Sequence, residues 1–260
     1  MKIVVCVKYV PDAQGDRRFA ADHTVDREGV DGILSELDEY AVEQALQVAE
    51  AAGGESTVTV VTVGPQAAET AVKKSLQMGA DAGVHVVDDA LHGSDAFATS
   101  LVLATAIAGL EPDLVLTGMA STDAGMSVVP AMVAARLGLP QVTFAGSLTI
   151  DGATLTTTRD GDTSTEVITS TLPALVSVTD QINDPRYPSF KGIMAAKKKP
   201  VTTLTLADLG VDASQVGAGA AWTAVDAVVA RPPRAAGQRV SDDGTGGSQL
   251  VAYLVAHKLV

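Results

Sequence analysis

Over residues 1–140 the chain alternates short apolar runs of strand length with longer stretches of helical period, and few folds accept that rhythm. Residues 3–7 form an apolar run ending at Lys8, and residues 57–63, 84–87 and 114–117 repeat it, the last stopped by Gly118. Between the first two runs, Val42, Leu46 and Ala49 share one face of a helix over residues 39–52, which Asp38 is placed to cap and Gly53-Gly54 to end. Gly64-Pro65 turns into a helix through Met78, Ser94 starts another to Ala108, and Pro130 stands near the start of one to Leu137. Strands alternating with helices make βαβ units. They predict an α/β fold of three αβα layers around a mostly parallel, doubly wound sheet. Residues 12–32 are polar and predict a loop or small hairpin.

After Pro140 the rhythm changes. Residues 144–150, 154–158 and 165–170 are Thr-rich and roughly alternating, with turns at Asp151-Gly152 and Asp160-Gly161. They predict an antiparallel meander attached to the main sheet, and residues 175–178 a further buried strand. Beyond Pro200 the chain is less regular. Pro232-Pro233 and residues 242–247 read as flexible, and a last helix over 248–258 carries Leu250, Val251, Leu254 and Val255. Such a tail has little core of its own and suits packing on another subunit.

Composition narrows the function. Apolar residues make up 47% of the chain and aromatics only 3%, so small aliphatics pack helices closely on a buried sheet. A formal charge of −13 repels phosphate backbones and anionic bilayers, which argues against nucleic acid and membrane surfaces. Cys6 is the single cysteine, which fits a reducing compartment. The amino terminus lacks a signal-peptide pattern, and no stretch of about 20 uncharged apolar residues appears. The expectation is a cytoplasmic protein that is not an integral membrane protein.

Common catalytic patterns are missing. No Gly-x-Gly-x-x-Gly follows the first strand, and there is no phosphate loop or Gly-x-Ser-x-Gly elbow. His23, His85, His92 and His257 are scattered rather than set at metal-ligand spacing. His85 alternates with valines and reads as a strand residue facing a polar neighbour. A binding module or carrier remains.

Ligands of an open parallel sheet bind beyond the carboxyl ends of its strands. Three segments arrive there: Cys6-Val7-Lys8, Val63-Gly64, and the loop from Gly118 to the helix at Pro130. Free N–H groups at that helix start, with Ser121, Thr122 and Ser127, suit a phosphate. They suit an ordinary polar loop equally. Residues 183–200 form the other distinctive segment. Phe190 sits there in a Pro- and Gly-flanked stretch and reads as an exposed loop aromatic suited to a partner's pocket. Lys197, Lys198 and Lys199 form a basic run in an acidic chain, read either as a solvated helix end or as a site for an acidic group.

Taken in order, several runs resemble the β subunit of electron-transfer flavoproteins: residues 5–12 (Val-Cys-Val-Lys-Tyr-Val-Pro-Asp), 38–45 (Asp-Glu-Tyr-Ala-Val-Glu-Gln-Ala), Gly64-Pro65, and 78–81 (Met-Gly-Ala-Asp). Residues 113–118, 139–144, 159–161, 166–168, 172–178, Pro185-Arg186-Tyr187 and Ile193-Met194 with the lysines continue the match over nearly the whole chain. The resemblance implies an adenine-nucleotide-binding α/β domain over residues 1–200, including a recognition loop at 183–196, and an arm over 201–260 that packs on a larger α subunit. It implies a heterodimer in which FAD lies mainly on the α subunit and AMP on this one. By position, AMP would contact Cys6, Ser35, Glu36, Leu37, Asp38 and Val63. The run Asp123, Ala124, Gly125, Met126, Ser127, Val128 and Val129 completes that set. Tyr187, Phe190, Ile193, Met194 and Lys197 would recognise partners.

The same resemblance implies electron transfer from acyl-CoA or other flavin dehydrogenases, as in fatty acid β-oxidation, to a quinone-linked oxidoreductase, with no bond chemistry on this chain. Two departures stand out. Ser35-Glu36-Leu37 replaces the Asn-Pro-Phe of many relatives, and Phe190 replaces an aliphatic anchor. An electron-bifurcating variant with a second FAD in place of AMP, and a free-standing nucleotide sensor, are the competing readings.

Overall fold

A computed structural model describes every residue except Asp16, Glu55 and Gln238. The chain divides into two compact units, Met1–Asp226 and Ala227–Val260. In chain order the first unit runs β1 (Lys2–Cys6), β2 (Tyr9–Pro11), β3 (Gly32–Leu34), α1 (Glu36–Ala52), β4 (Thr57–Val63), α2 (Glu69–Met78), β5 (Ala82–Val86), α3 (Ala96–Ala108), β6 (Leu114–Gly118) and α4 (Val129–Leu137). It continues with β7 (Gln141–Ala145), β8 (Ser147–Asp151), β9 (Thr154–Asp160), β10 (Thr165–Thr171), β11 (Ala174–Val178), α5 (Phe190–Ala196), β12 (Val201–Leu204) and α6 (Leu206–Leu209). The second unit carries α7 (Gly246–Ala256), none of whose residues is buried.

The central sheet has seven strands in the order β12-β5-β4-β1-β6-β11-β7, every neighbouring pair parallel. Alternate residues of each strand serve opposite faces. Ile3 and Val5 pack with Val42 of α1 and Leu76 of α2, whereas Val4 packs with Val102 of α3 and Val133 of α4. Two helical layers thus enclose one sheet, the αβα architecture that the rhythm predicts. Gly83 is required for that fit, because a Cβ there would lie 2.2 Å from Val72 Cγ1 of α2.

The connectivity also places the cleft. From β1 the chain adds β4 and then β5 on one side, and returns across the sheet to lay β6 on the other. Connections leave β1 and β6 in opposite directions, which opens a crevice at their carboxyl ends.

Four expectations are corrected. The helix of residues 39–52 begins at Glu36, and Asp38 lies inside its first turn rather than at its cap. Residues 144–150 are not one strand. β7 ends at Ala145 in the main sheet and β8 starts at Ser147 in a separate three-stranded antiparallel sheet, with Gly146 between them. Residues 201–226, assigned to the arm by sequence, belong to the first unit, since β12 pairs with β5 and Leu206, Val211 and Val216 enter the core. Phe190 is the first residue of α5 rather than a loop residue, with Ser189 capping the helix through Gly192 N–H. Among the described residues, no helix is long and apolar enough to cross a membrane.

Candidate functional site

Cys6, Lys8, Ser35, Asp38, Thr117, Gly118 and Asp123 meet around the crevice between β1 and β6. Asp38 is the hinge of the arrangement. It is buried, and its Oδ2 accepts the Lys8 backbone N–H at 2.8 Å. The bond is possible because Gly118 has no side chain. A Cβ there would stand 2.6 Å from Asp38 Oδ1 and 2.9 Å from the Leu37 carbonyl. Burial pushes the Asp38 carboxyl up to about 7, against the backbone bonds from Lys8 and Gly118 and the Lys8 charge.

Ser35, fully buried at the start of α1, donates its N–H to Lys8 O (2.9 Å) and accepts the Thr122 N–H at its Oγ (3.4 Å). Glu36 is exposed, and Leu37 is half-buried.

The loop after β6 is held by charge. The Asp123 side chain is only 2% exposed and lies between Lys8 Nζ (2.9 Å) and the Arg27 guanidinium. Burial would raise its carboxyl, but the Lys8 charge and bonds from Ser121, Lys8 and Arg27 prevail and hold it well below the usual range. Lys8 Nζ also reaches Ser121 Oγ at 3.3 Å, and Arg27 donates to Tyr9 O at 3.1 Å. Asp123 is therefore a strut among three segments. Ala124, Gly125 and Met126 beyond it are exposed. Gly125 and Ser127 take positive φ of 63° and 57°, turning the chain into α4. Val128 and Val129 form the uncapped start of that helix: among the described residues no side chain caps it, and Pro130 has no N–H to offer.

Two features face the crevice from the sheet. Cys6 ends β1 on the α3–α4 side, and burial, followed by the Asp38 charge, pushes its thiol up to about 12. A thiol so shifted is no nucleophile at neutral pH. Thr117 lies two residues beyond Val115, which pairs with Val4, so it shares the Cys6 face. Its Oγ1 is buried and has no partner among the described residues. Val63 ends β4 beside β1, half-buried. Sequence reasoning passed over Thr117 and Arg27. Thr117 is one more residue of an apolar strand, and Arg27 sits in a polar loop without pattern.

The residues for which the resemblance implies partner recognition lie elsewhere. α5 rests on the carboxyl end of α2, where a Cβ on Gly192 would lie 2.6 Å from Gln77 O. That end of α2 leads into the start of β5, so α5 sits toward the amino ends of the strands, opposite the crevice at their carboxyl ends. Tyr187 (91% exposed), Phe190 (80%), Ile193 and Met194 form an outward apolar patch, with Lys197 exposed at its edge. The patch is braced from beneath. Arg186 bonds Glu43 (Nε to Oε2, 2.7 Å) and Glu50 (Nη1 to Oε1, 2.6 Å) on α1. Asn183 Nδ2 donates to Tyr40 O at 3.1 Å and Gln44 Oε1 at 3.2 Å. Lys199 Nζ donates to Leu76 O (3.1 Å) and Gly79 O (2.9 Å) at the end of α2. Of the three lysines, Lys199 is thus a structural tether.

Residues 22–209 match the model of the electron transfer flavoprotein domain. An electron transfer flavoprotein subunit beta of Mycobacterium tuberculosis (strain H37Rv) is 48% identical, with 99% of each chain covered. The protein of that name from Megasphaera elsdenii is 32% identical over the full length of both, and that from Syntrophomonas wolfei 41% identical over 80% of this chain and 81% of its own. With the domain matched over most of its length and full-length relatives at this identity, the chain belongs to the electron transfer flavoprotein β-subunit family.

Proposed function

We propose that the chain pairs with a larger α subunit to form an electron transfer flavoprotein, holds AMP in the β1–β6 crevice, and docks flavin dehydrogenases through the α5 patch. One observation carries the nucleotide reading above the others. Thr117 Oγ1 is buried beside Cys6 with no partner among the described residues, and the uncapped start of α4 opens on the same crevice. A buried hydroxyl left unpaired costs about 1–3 kcal/mol, which a ligand's polar edge would relieve. The free N–H groups of α4 suit a phosphate, and Ser127 adds a hydroxyl. Asp38, Ser35 and Asp123 act behind these groups by fixing the β1 exit and the loop after β6.

FAD, bound mainly on the α subunit, would supply the redox chemistry. This chain would carry electrons between partners without bond chemistry of its own, which the unreactive Cys6 thiol supports. The donors would be acyl-CoA or other flavin dehydrogenases and the acceptor a quinone-linked oxidoreductase. The exposed Phe190 in place of an aliphatic anchor favours a wider or more aromatic pocket on the donor. The arm over Ala227–Val260, with its unburied α7, would pack on the α subunit.

The test is purification with the larger subunit, followed by extraction and counting of bound nucleotides. One FAD and one AMP per heterodimer is the expected result. Two FAD and no AMP would replace this reading with electron bifurcation. A stable chain with no larger subunit would sink it.

A further inference from the structure

His85 is fully buried in β5, on the α1–α2 face of the sheet, away from Cys6 and Thr117. Its Nε2 lies 3.1 Å from the Gly64 carbonyl. A carbonyl only accepts, so Nε2 carries a proton, and in the neutral tautomer Nδ1 would offer a lone pair. Gly64 is held from its other side too, its N–H donating to Val86 O at 3.1 Å. The residue that turns the chain out of β4 is therefore gripped at both its donor and its acceptor. The turn is also tight, since a Cβ on Gly64 would stand 3.1 Å from Ala68 Cβ. Thr62 pairs with His85 in the strand register, and Thr62 Oγ1 and His85 Nδ1 are both buried without partners among the described residues. They are a matched donor and acceptor when the imidazole is neutral.

We propose that His85 is a positioning residue for the nucleotide crevice. From the far face of the sheet, its ring fixes the Gly64 carbonyl, and through it the place of Val63 and the β4 exit that walls the crevice. A purely apolar residue at position 85 would fill the core but free that carbonyl to swing toward the ligand side. This inference rests on the nucleotide reading above for its effect on binding, and on the hydrogen bond alone for its effect on the turn.

The test uses the heterodimer purified with its bound nucleotide, carrying His85→Leu, His85→Gln or Val72→Ala. The glutamine amide keeps a donor at the ε position. Val72→Ala loosens the same helical layer without touching Gly64. Nucleotide release into ligand-free buffer and amide exchange at Gly64 are measured beside the melting temperature. His85→Leu is expected to release nucleotide about tenfold faster and to speed Gly64 exchange, the loss expected for one buried hydrogen bond. His85→Gln should stay within about threefold of the native rate, and Val72→Ala should melt lower yet release at the native rate. Native release from His85→Leu, or release from Val72→Ala as fast as from His85→Leu, would overturn the proposal. If the native heterodimer yields no nucleotide, the nucleotide reading falls. Gly64 exchange then decides the positioning role, and equal exchange in the native chain and His85→Leu overturns it.

Discussion

Asp38 shows how a single carboxylate can be legible as a residue and misread in its role. An aspartate before an amphipathic run is a cap by rule, and only the absence of a Gly118 side chain lets it turn back to the strand ends. Its proton linkage has a definite sign. The carboxyl titrates at about 7 in the folded chain against 3.8 when unfolded, so between those values the native state holds a proton that the unfolded chain has released. Stability from this group therefore falls as pH rises from about 4 to about 7, and is level above. Asp38→Asn removes that slope. It also presents an amide N–H₂ to backbone donors, which costs about 1–3 kcal/mol. Thermal melts should show the variant below the native chain at acid pH, with the gap narrowing toward pH 8. A gap that widens would refute the buried, proton-holding state. Thr117→Val makes the opposite case. Removing an unpartnered hydroxyl should leave the melting temperature unchanged or raise it by ~1–3 °C. Nucleotide content per heterodimer should nevertheless drop. If content is unchanged, Thr117 does not face the ligand.

At the scale of elements, β4, β6 and α2 were readable because a continuous apolar run or a helical period states its own structure. β12 was not, since Val201–Leu204 places two threonines between its only apolar residues, as an edge strand allows. α5 was hidden by its shortness and by Gly192, which packs against Gln77 O rather than ending the helix. Its patch yields two expectations. Phe190→Ala should slow reduction by the dehydrogenase partner without loss of FAD, checked by flavin content beside the reduction rate. If FAD is lost, the docking role is wrong. Arg186→Ala should do the same at greater structural cost. Glu43 is 5% exposed, and stranding its carboxylate should cost ~2 kcal/mol or more, read in a denaturant melt. A native-like reduction rate in that variant would mean the brace does not orient the patch.

For the whole molecule, the alternating rhythm gave the layers and the parallel sheet, but not the order of its strands. Order depends on which face each helix covers, and that is a property of packing rather than of any one segment. The division at Asp226 was equally silent, because the core clusters end at Val216 and the sequence beyond it carries no strand or helix pattern until the last helix. A chain ending at Asp226 should keep a cooperative melt and native-like circular dichroism, since among the described residues no core-cluster member lies beyond that point. It should fail to co-purify with the larger subunit. Retained pairing would show that the arm is not the main contact.

The strand order also sets a timetable. Among the described residues the side of β5 away from β4 is covered by β12, and the chain must be extended from Val86 to Leu204 before that edge can close. At about 5–20 residues per second, a ribosome leaves it bare for roughly 6–24 s. During translation β5 is thus a sticky border available to any neighbouring nascent strand. Yield should depend on the speed of synthesis through this interval.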